Sequence, residues 1–401
     1  MEAIRNICLF HPSMQRFKTF LGKLAKALFR PRELAIVVVA FMIIGLLRYV
    51  TFHFDAFNPV AHATKGFSTT DIFYDMMLAS PADTSSTIVI VDITQLHSRD
   101  SIASVLEELG ELEPAAIDID VVFEQPKEPE GDMHLMGVAA ALPNAVFSFK
   151  MTDPDVERGE FTRQAHSFFA KEMELNEGFV NVDRNITRDI PLCLEMQGEP
   201  YPSVIVKMME IIQGQPFDYK QHRSHPINYE PTVFRIIPHD SIQHYKDYIT
   251  GHIVMFGGAH EGVDLLYTPL GQMHGINVLC YALKTMLEMK QEKKCTGTLY
   301  WLLTLVLSYI GACLIMSYKD WTAGMKEGFI HDMLSTIFVT SIVVFIFMSV
   351  FMTIFFILFV KWSINFDLTP ALAVMALTTT AADIVRISIK HLQNLRKRAS
   401  G

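Results

Sequence analysis

The chain has 401 residues, half of them hydrophobic, and a formal net charge of −9 at pH 7. The acidic balance argues against a nucleic-acid partner, which requires a basic face, and the positive mean hydropathy is too high for an ordinary soluble protein of this length. The cysteines form no CxxC pair and no metal-ligand spacing. They are Cys8, Cys193, Cys280, Cys295 and Cys313. A Cys193–Cys280 bridge fits an oxidising compartment, but no pattern supports it specifically.

Residues 1–33 are expected to form a basic, amphipathic N-terminus in the cytoplasm. On a helix, Phe17, Phe20, Leu21, Leu24 and Leu28 would share one face, opposite Lys23, Lys26 and Arg30. This pattern is typical of a helix lying on an anionic lipid surface. It is equally typical of an amphipathic helix packed on other helices, and both interpretations stay open here.

Four segments are apolar enough to cross a bilayer, which takes about 20 residues. They are 34–50, 298–318, 333–360 and 368–385. The first is marginal in length, and the last contains Asp383 near its end, where water and headgroups are within reach. The first is a poor signal peptide, because its basic leader is too long and no A-x-A-like site follows. We therefore expect four transmembrane helices, the first an uncleaved anchor.

Basic residues predict the orientation of these segments. They cluster before the first segment and again in 386–401, after the last. By the positive-inside rule both termini are cytoplasmic. The tail 386–401 is then cytoplasmic, and the large segment 51–296 lies outside the cytoplasm.

The segment 51–296 has an ordinary globular composition, enough for one core. Strands are expected at 86–93, 115–123, 145–149, 178–182, 232–237 and 252–258. Helices are expected at 101–111, 133–142, 201–212 and 275–290. Asp100 is the expected N-cap of the first of these helices. The alternation of strand and helix predicts right-handed crossovers, and hence an α/β domain with a mainly parallel central sheet.

Four aspartates fall at or near predicted strand ends. Asp118 and Asp120 share one face of the strand 115–123 because side chains alternate along a strand. Asp92 ends the first strand, and Asp264 follows the last by a short loop. Ligands of open parallel sheets gather beyond the carboxyl ends of the strands. The candidate ligand-binding residues are therefore Asp92, Asp118, Asp120, His260 and Asp264.

The sequence favours a structural role for the same residues over a binding site, since carboxylates at strand ends mark sites only in part of the cases. Asp92 could cap the following helix, and Asp118 could pair with an arginine. The arginines considered are Arg184, Arg188 and Arg235. His260 and His274 are more typical of ordinary loop residues than of ligands, and "GGAHEG" lacks the spacing of a phosphate loop. No HExxH, EF-hand, P-loop or GxSxG signature is present, so we expect no catalytic residue, no metal ion and no cofactor.

Small residues favour close helix packing in the membrane part. Ser308 and Ala312, with Gly311 between them, form one such face, and 378–382 forms another. We expect these faces to pack within the chain, with a homodimer as the alternative. The uncharged segment 333–360 lacks the buried acid or base of a proton-coupled transporter.

The order and spacing of several stretches resemble a known family. They are "STTDIFYDMM", "STIVIVDI", "AAIDIDVVFEQP", "GFVNVDRNITRDIPL", "HPINYE" and "HIVMFGGAHEGVDLLYTPLGQMHGINVLCYAL". With the closing hydrophobic segments they are similar to CHASE2 domain proteins, whose CHASE2 domain is the extracytoplasmic sensory module of bacterial receptors. The resemblance runs from residue 68 to the last span. It implies a bacterial inner-membrane protein whose main domain is periplasmic.

The chain departs from the family pattern in two places. The Gly-, Pro- and Trp-containing stretch usual after the first strand is replaced by "DITQLHSRDSIASVLEEL". Family members usually lead into a cytoplasmic kinase or cyclase, whereas the sixteen residues after the last segment are too few for an output domain.

We therefore expect a membrane-anchored sensor that is not an enzyme. It would contact membrane lipid, bind an unidentified small molecule or envelope ligand, and signal through a separate cytoplasmic or membrane partner. One alternative is an envelope scaffold or assembly protein that senses nothing. A less favoured one is a metal-dependent periplasmic hydrolase or transferase built on the strand-end aspartates.

Overall fold

The computed structural model describes residues 30–53, 68–78, 82–155, 160–182, 186–219, 223–260, 264–288, 293–295, 297–362 and 364–399. Most of the expected N-terminal amphipathic helix lies outside these residues. So do Cys8, Arg184 and the last two residues of "GGAHEG". The chain forms two compact units. We call residues 70–293 with 363–365 the sheet domain, and residues 1–69, 294–362 and 366–401 the helical unit.

The described helices are as follows, in chain order. They are α1 (Pro31–His53), α2 (Thr69–Met77), α3 (Arg99–Glu111), α4 (Pro129–Ala141), α5 (Val204–Gln213), α6 (Lys246–Ile249), α7 (Gly275–Glu288), α8 (Gly297–Ala323), α9 (Phe329–Ser335), α10 (Ile337–Trp362) and α11 (Thr369–Ala399). One turn of 3₁₀ helix spans Ile242–Tyr245.

The described strands are mostly short. They are β1 (Asp83–Asp92), β2 (Ala116–Ile119), β3 (Ala145–Asp155), β4 (Glu160–Ala165), β5 (Glu177–Phe179), β6 (Asp189–Pro191), β7 (Cys193–Met196), β8 (Glu199–Pro202), β9 (Ser224–Pro226), β10 (Thr232–Pro238), β11 (Ile253–Gly257), β12 (Leu265–Thr268), β13 (Gly271–His274), β14 (Lys293–Lys294) and β15 (Ile364–Asn365).

The main sheet has the order β10-β1-β11-β2-β3-β4-β7-β8, with β5 also paired to β3. Strands β10, β1, β11, β2, β3 and β5 are parallel, and antiparallel pairs join β3 to β4 and β7 to β8. The predicted α/β domain with a mainly parallel central sheet is confirmed. Strand β11 lies between β1 and β2 although it follows them by more than 130 residues, a long-range pairing that periodicity does not reveal.

The core of the sheet domain lies between the sheet and helices α3 and α4. Val91, Ile117 and Phe147 of the strands pack there with Leu106 of α3 and Leu135 of α4, all buried. Helices α5 and α7 cover the opposite face. Because both faces are covered, β2 is buried at every position, which explains its continuous apolar run apart from Asp118.

Capping of α3 differs from the expectation. Ser98, not Asp100, is the N-cap, and its hydroxyl accepts a hydrogen bond of 3.1 Å from the backbone N–H of Ser101. Asp100 instead bonds the ring of His134 at 2.7 Å. Both side chains can cap a helix, and the start of the helix at Arg99 selects the serine.

Among its described residues, the helical unit contains three helices long and apolar enough to span a membrane, namely α8, α10 and α11. Helix α1 contains the predicted first span, but it is not among the described helices that reach this apolar length. Four crossings therefore stay a prediction.

Two predicted segments have different boundaries in the structure. The segment 333–360 is divided at Thr336, whose backbone is extended, so its first residues belong to α9. The segment 368–385 is the first part of α11, which continues as helix to Ala399.

The small-residue faces pack within the chain. Gly311 and Ala312 of α8 are buried, and a Cβ on Gly311 would lie 2.5 Å from Cγ of Met375 in α11. Ala381 and Ala382 lie in the same apolar cluster as Ala312. This close approach of α8 and α11 explains the glycine.

Candidate functional site

A cleft of about 490 Å³ lies beyond the carboxyl ends of the parallel strands. Its charged side chains are Asp120, just after β2, Lys150 on β3 and Asp264, just before β12. Its apolar lining is Val121, Val122, Val180, Val182, Leu266, Ile276 and Leu279. Gly275, the first residue of α7, also faces the cleft. A concave site with a few polar groups on apolar walls is the usual form of a small-molecule site.

Asp120 lies at the inner wall of the cleft. Strand β2 ends at Ile119, one residue before Asp120. The backbone N–H of Asp120 donates to the carbonyl of Phe256 in β11. Among the described residues, none donates a hydrogen bond to its carboxylate. Burial raises the pKa of Asp120 to about 6, while the Lys150 ammonium opposes the rise and the Asp264 carboxylate adds to it.

Lys150 and Asp264 face each other across the mouth of the cleft. The Lys150 Nζ lies 3.5 Å from Oδ2 of Asp264, and both side chains are well exposed. The main-chain carbonyl of Asp264 accepts a hydrogen bond of 2.9 Å from the N–H of Gly275. Asp264 thus connects the charged mouth to the start of α7.

Asp118 lies on the same face of β2 as Asp120 but is fully buried. Within the described part of the chain, neither oxygen of its carboxyl group has a hydrogen-bond partner. Burial raises its pKa well above the ordinary value, and the neighbouring Asp120 raises it further. An unpaired carboxyl group in such a site is neutral, because a buried charge without a partner costs several kcal/mol.

The arginine pairings considered for Asp118 do not occur among the described residues. Arg188 forms a bidentate ion pair with Asp71 of α2. Arg235 stacks on the ring of Tyr248, 4.0 Å from its centroid. Both arginines have partners closer in the fold than β2, which sequence separation does not reveal.

Asp92 and His260 form a cluster of their own. One carboxylate oxygen of Asp92 accepts bonds from the hydroxyl of Thr94 at 2.5 Å and from the N–H of Ala259 at 2.9 Å. The other lies 2.7 Å from Nδ1 of His260. Burial raises the pKa of Asp92, but the bonds from Thr94, Ala259 and His260 outweigh it and the net shift is downward. Neither residue lines the cleft, and the arrangement holds the segment after β11 against the end of β1.

Gly257, the last residue of β11, separates the two clusters. A Cβ there would lie 2.9 Å from Cδ1 of Ile276 and 3.1 Å from Cβ of Asp120. Glycine therefore permits α7 to approach the strand end beside Asp120. The first turn of α7 and the cleft wall depend on this approach.

A comparison with protein-family models agrees with this architecture. The model of the CHASE2 domain matches residues 36–316, about 70% of the chain. The chain belongs to the CHASE2 domain family. This is a family of extracytoplasmic sensor domains, and the match includes residues 70–293 of the sheet domain, much of α1 and most of α8. No curated protein and no solved structure matches the chain.

The CHASE2 domain brings together only part of the candidate set. Asp120 and Asp264 meet at the cleft, Asp118 lies beneath, and Asp92 and His260 lie apart. Lys150 was missed by the sequence analysis, because the strand was expected to end at residue 149 and extends to Asp155. Continuing the alternation of that strand by one residue would have placed Lys150 on the cleft face.

The arrangement of metal ligands and the state of two cysteines can be described for the CHASE2 domain. Among its described residues, no group of three His, Cys, Asp or Glu side chains is arranged to hold a metal ion. Cys193 and Cys280 are both buried and unbridged. Burial also raises the pKa of the Cys280 thiol, and the nearby carboxyl groups of Asp118 and Asp120 add to the rise, so this thiol is neutral beneath the cleft.

Proposed function

We propose that this protein is a membrane-anchored extracytoplasmic sensor that binds a small ligand in the cleft and signals through a separate partner protein. The cleft itself carries the proposal. It lies where ligands of parallel sheets bind, and it combines apolar walls with both signs of charge. Asp120 presents a carboxylate to which no described residue donates a hydrogen bond.

Transmission of the signal would follow the chain from the cleft. Helix α7 begins at the cleft with Gly275 and ends at Glu288, and eight residues separate it from the apolar helix α8, which begins at Gly297. A ligand that binds better to one position of α7 than to another shifts the population of the two. The shift would reach α8 through this short connection.

The membrane placement in the proposal is a bacterial inner membrane with the sheet domain in the periplasm and both termini in the cytoplasm. The distribution of basic residues supports it. The last turns of α11 are exposed and carry Arg386, Lys390 and 396–398, a surface suited to anionic lipid or to a cytoplasmic partner. In this proposal the protein has no catalytic step of its own.

Ligand binding can be tested by filling the cleft. The purified full chain is dialysed against a small-molecule extract of a bacterial periplasm, and retained compounds are identified by mass spectrometry. We expect a compound retained by the wild type, lost in Leu266→Trp and kept in Val233→Trp, since Val233 is exposed on β10 and does not line the cleft. Equal retention by both variants would exclude the cleft.

The signalling partner can be tested by photo-crosslinking in native membranes. A photoreactive residue placed at Lys390 of α11 should capture a partner, with a yield that changes when the retained compound is added. A yield that no small molecule changes would favour the scaffold alternative over a sensor.

A further inference from the structure

The buried carboxyl group of Asp118 is not needed for packing, yet it stands in the middle of the sheet. It is fully buried and has no hydrogen-bond partner among the described residues, in a strand otherwise filled by Ala116, Ile117 and Ile119. An apolar side chain would avoid the cost of the unpaired polar group. Such a group holds a proton, because only the neutral acid is tolerated there.

Asp120 is the second carboxyl group beside Asp118, and it lies on the solvent side. It shares the strand face with Asp118, has no hydrogen-bond donor among the described residues, and lines the open cleft with Lys150 and Asp264. The cleft therefore holds two ionisable carboxylates with one ammonium between them, over a neutral acid. A proton entering the cleft changes the balance of these charges.

We propose that Asp118 and Asp120 form a proton-binding site. When Asp120 takes up a proton, the Lys150 ammonium keeps Asp264 as its single carboxylate partner in the cleft. With Asp120 ionised, the ammonium is attracted to both carboxylates. With Asp120 neutral, Lys150 holds Asp264, whose carbonyl binds the first N–H of α7. This inference rests on the proposed function and deepens it, by naming the proton as one input of the same cleft.

Among the residues that the structure describes, few groups face this pair. Strand β3 contributes Lys150, the residue before β12 is Asp264, and α7 contributes the thiol of Cys280. Strand β11 places Met255 and Gly257 beside the pair, and neither titrates. On α5 the charged side chains Lys207 and Glu210 bind each other at 2.8 Å. The charge balance in the cleft is thus set by Asp120, Lys150 and Asp264.

Infrared spectroscopy of the full chain in lipid vesicles tests the site, since a protonated carboxyl group has a C=O stretch of its own. In a titration from about pH 4.5 to about pH 8.5, part of this signal should vanish with a midpoint near pH 6. Asp120→Asn should remove that part. Asp118→Asn should instead remove the part of the signal that belongs to the buried neutral acid. Asp264→Asn should lower the midpoint and Lys150→Gln raise it, each by about 0.5 to 1 pH unit.

Asp92→Asn is the matched control, because Asp92 ends β1, which β11 separates from β2, and lies outside the cleft; this variant should leave the midpoint unchanged. The proposal is overturned if no titrating signal depends on Asp120, or if the midpoint ignores both Lys150→Gln and Asp264→Asn. The titration needs no small ligand and no partner. If the chain titrates as expected but retains no compound, only small-ligand sensing is overturned. If it retains a compound but shows no titration that depends on Asp120, only the proton site is overturned.

Hydrogen exchange tests the mechanical consequence at a single alkaline pH, which avoids the pH dependence of exchange itself. Asp120→Asn mimics the protonated cleft. We expect slower exchange in β12 and at Gly275 in this variant than in the wild type. Equal exchange would overturn the coupling of the proton to α7.

Discussion

The side chains of Asp92 and His260, from β1 and from the segment after β11, meet at 2.7 Å between Oδ2 and Nδ1. Since the other oxygen of Asp92 binds Thr94 and Ala259, this carboxylate is an anchor that joins two strand ends. Asp92→Asn should therefore destabilise the fold by about 1 to 3 kcal/mol, measured by denaturant unfolding. His260→Ala, which removes one exposed partner, should cost less.

The pH dependence of the same anchor has a definite sign. Burial acts against ionisation of Asp92, but the bonds from Thr94, Ala259 and His260 depress its pKa overall. The stabilisation is therefore present above the unfolded pKa, near 3.8, and is lost as the pH falls through the lower folded pKa. Unfolding of Asp92→Asn should depend less on pH in this acid range. If the free energy of unfolding of Asp92→Asn depends on acid pH as strongly as that of the wild type, Asp92 is not such an anchor.

Asp120 should have the opposite effect on stability. Burial raises its pKa to about 6, so the folded chain binds more protons than the unfolded chain between about pH 4 and pH 6. Its contribution is present below the unfolded pKa and is lost as the pH rises through 6. The wild type should lose about 2 kcal/mol over this window relative to Asp120→Asn, measured by unfolding at a series of pH values. Parallel curves for the two proteins would contradict the prediction.

The contact of Gly257 with α7 predicts a paired result. Gly257→Ala introduces a Cβ 2.9 Å from Cδ1 of Ile276 and should cost about 1 to 3 kcal/mol. Ile276→Val removes that methyl group and should restore part of the loss in the double variant. Gly137→Ala is the control, since nothing lies within 4 Å of its Cβ and alanine favours helix α4 by about 0.5 to 1 kcal/mol. A double variant no more stable than Gly257→Ala would place the clash elsewhere.

The helical unit offers a similar pair. Gly311→Leu should separate α8 from α11, because even a Cβ would meet Cγ of Met375 at 2.5 Å. The midpoint of thermal unfolding in detergent should fall, and Met375→Ala should recover part of it. Gly45→Leu on α1, where nothing lies within 4 Å of the Cβ, should have little effect. A Gly311→Leu chain as stable as the wild type would show that this contact is not needed.

The parts of the fold that sequence predicts are those with a local pattern. Strand β1 follows from its β-branched run and helix α3 from the spacing of Ile102, Val105 and Leu106. Strand β2 was expected to reach residue 123 and ends at Ile119. The alternation continues past that point, whereas backbone pairing with β11 does not. The end of a strand depends on its neighbours in the sheet, and the neighbour here is remote in sequence.

The candidate site shows the same division. Asp118 and Asp120 were placed on one strand face by alternation alone, and the structure has them there. Asp92 and Asp264 were expected to converge with them, but Asp92 is held by Thr94 and Ala259 instead. Its distance from the cleft depends on the insertion of β11 and the backbone of Gly257, neither of which has a sequence pattern. The Lys150–Asp264 contact joins residues 114 positions apart, beyond the reach of any local rule.

The account depends on the sheet domain lying outside the cytoplasm, and labelling with a membrane-impermeant maleimide tests this most directly. Met133 is exposed on α4 and Lys390 is exposed on α11, so Met133→Cys and Lys390→Cys are compared over the background of the native cysteines. In cells whose outer membrane is permeabilised and whose inner membrane is closed, we expect labelling at position 133 and none at position 390. Position 390 should be labelled once the inner membrane is opened. Labelling at 390 with protection at 133 would contradict the account.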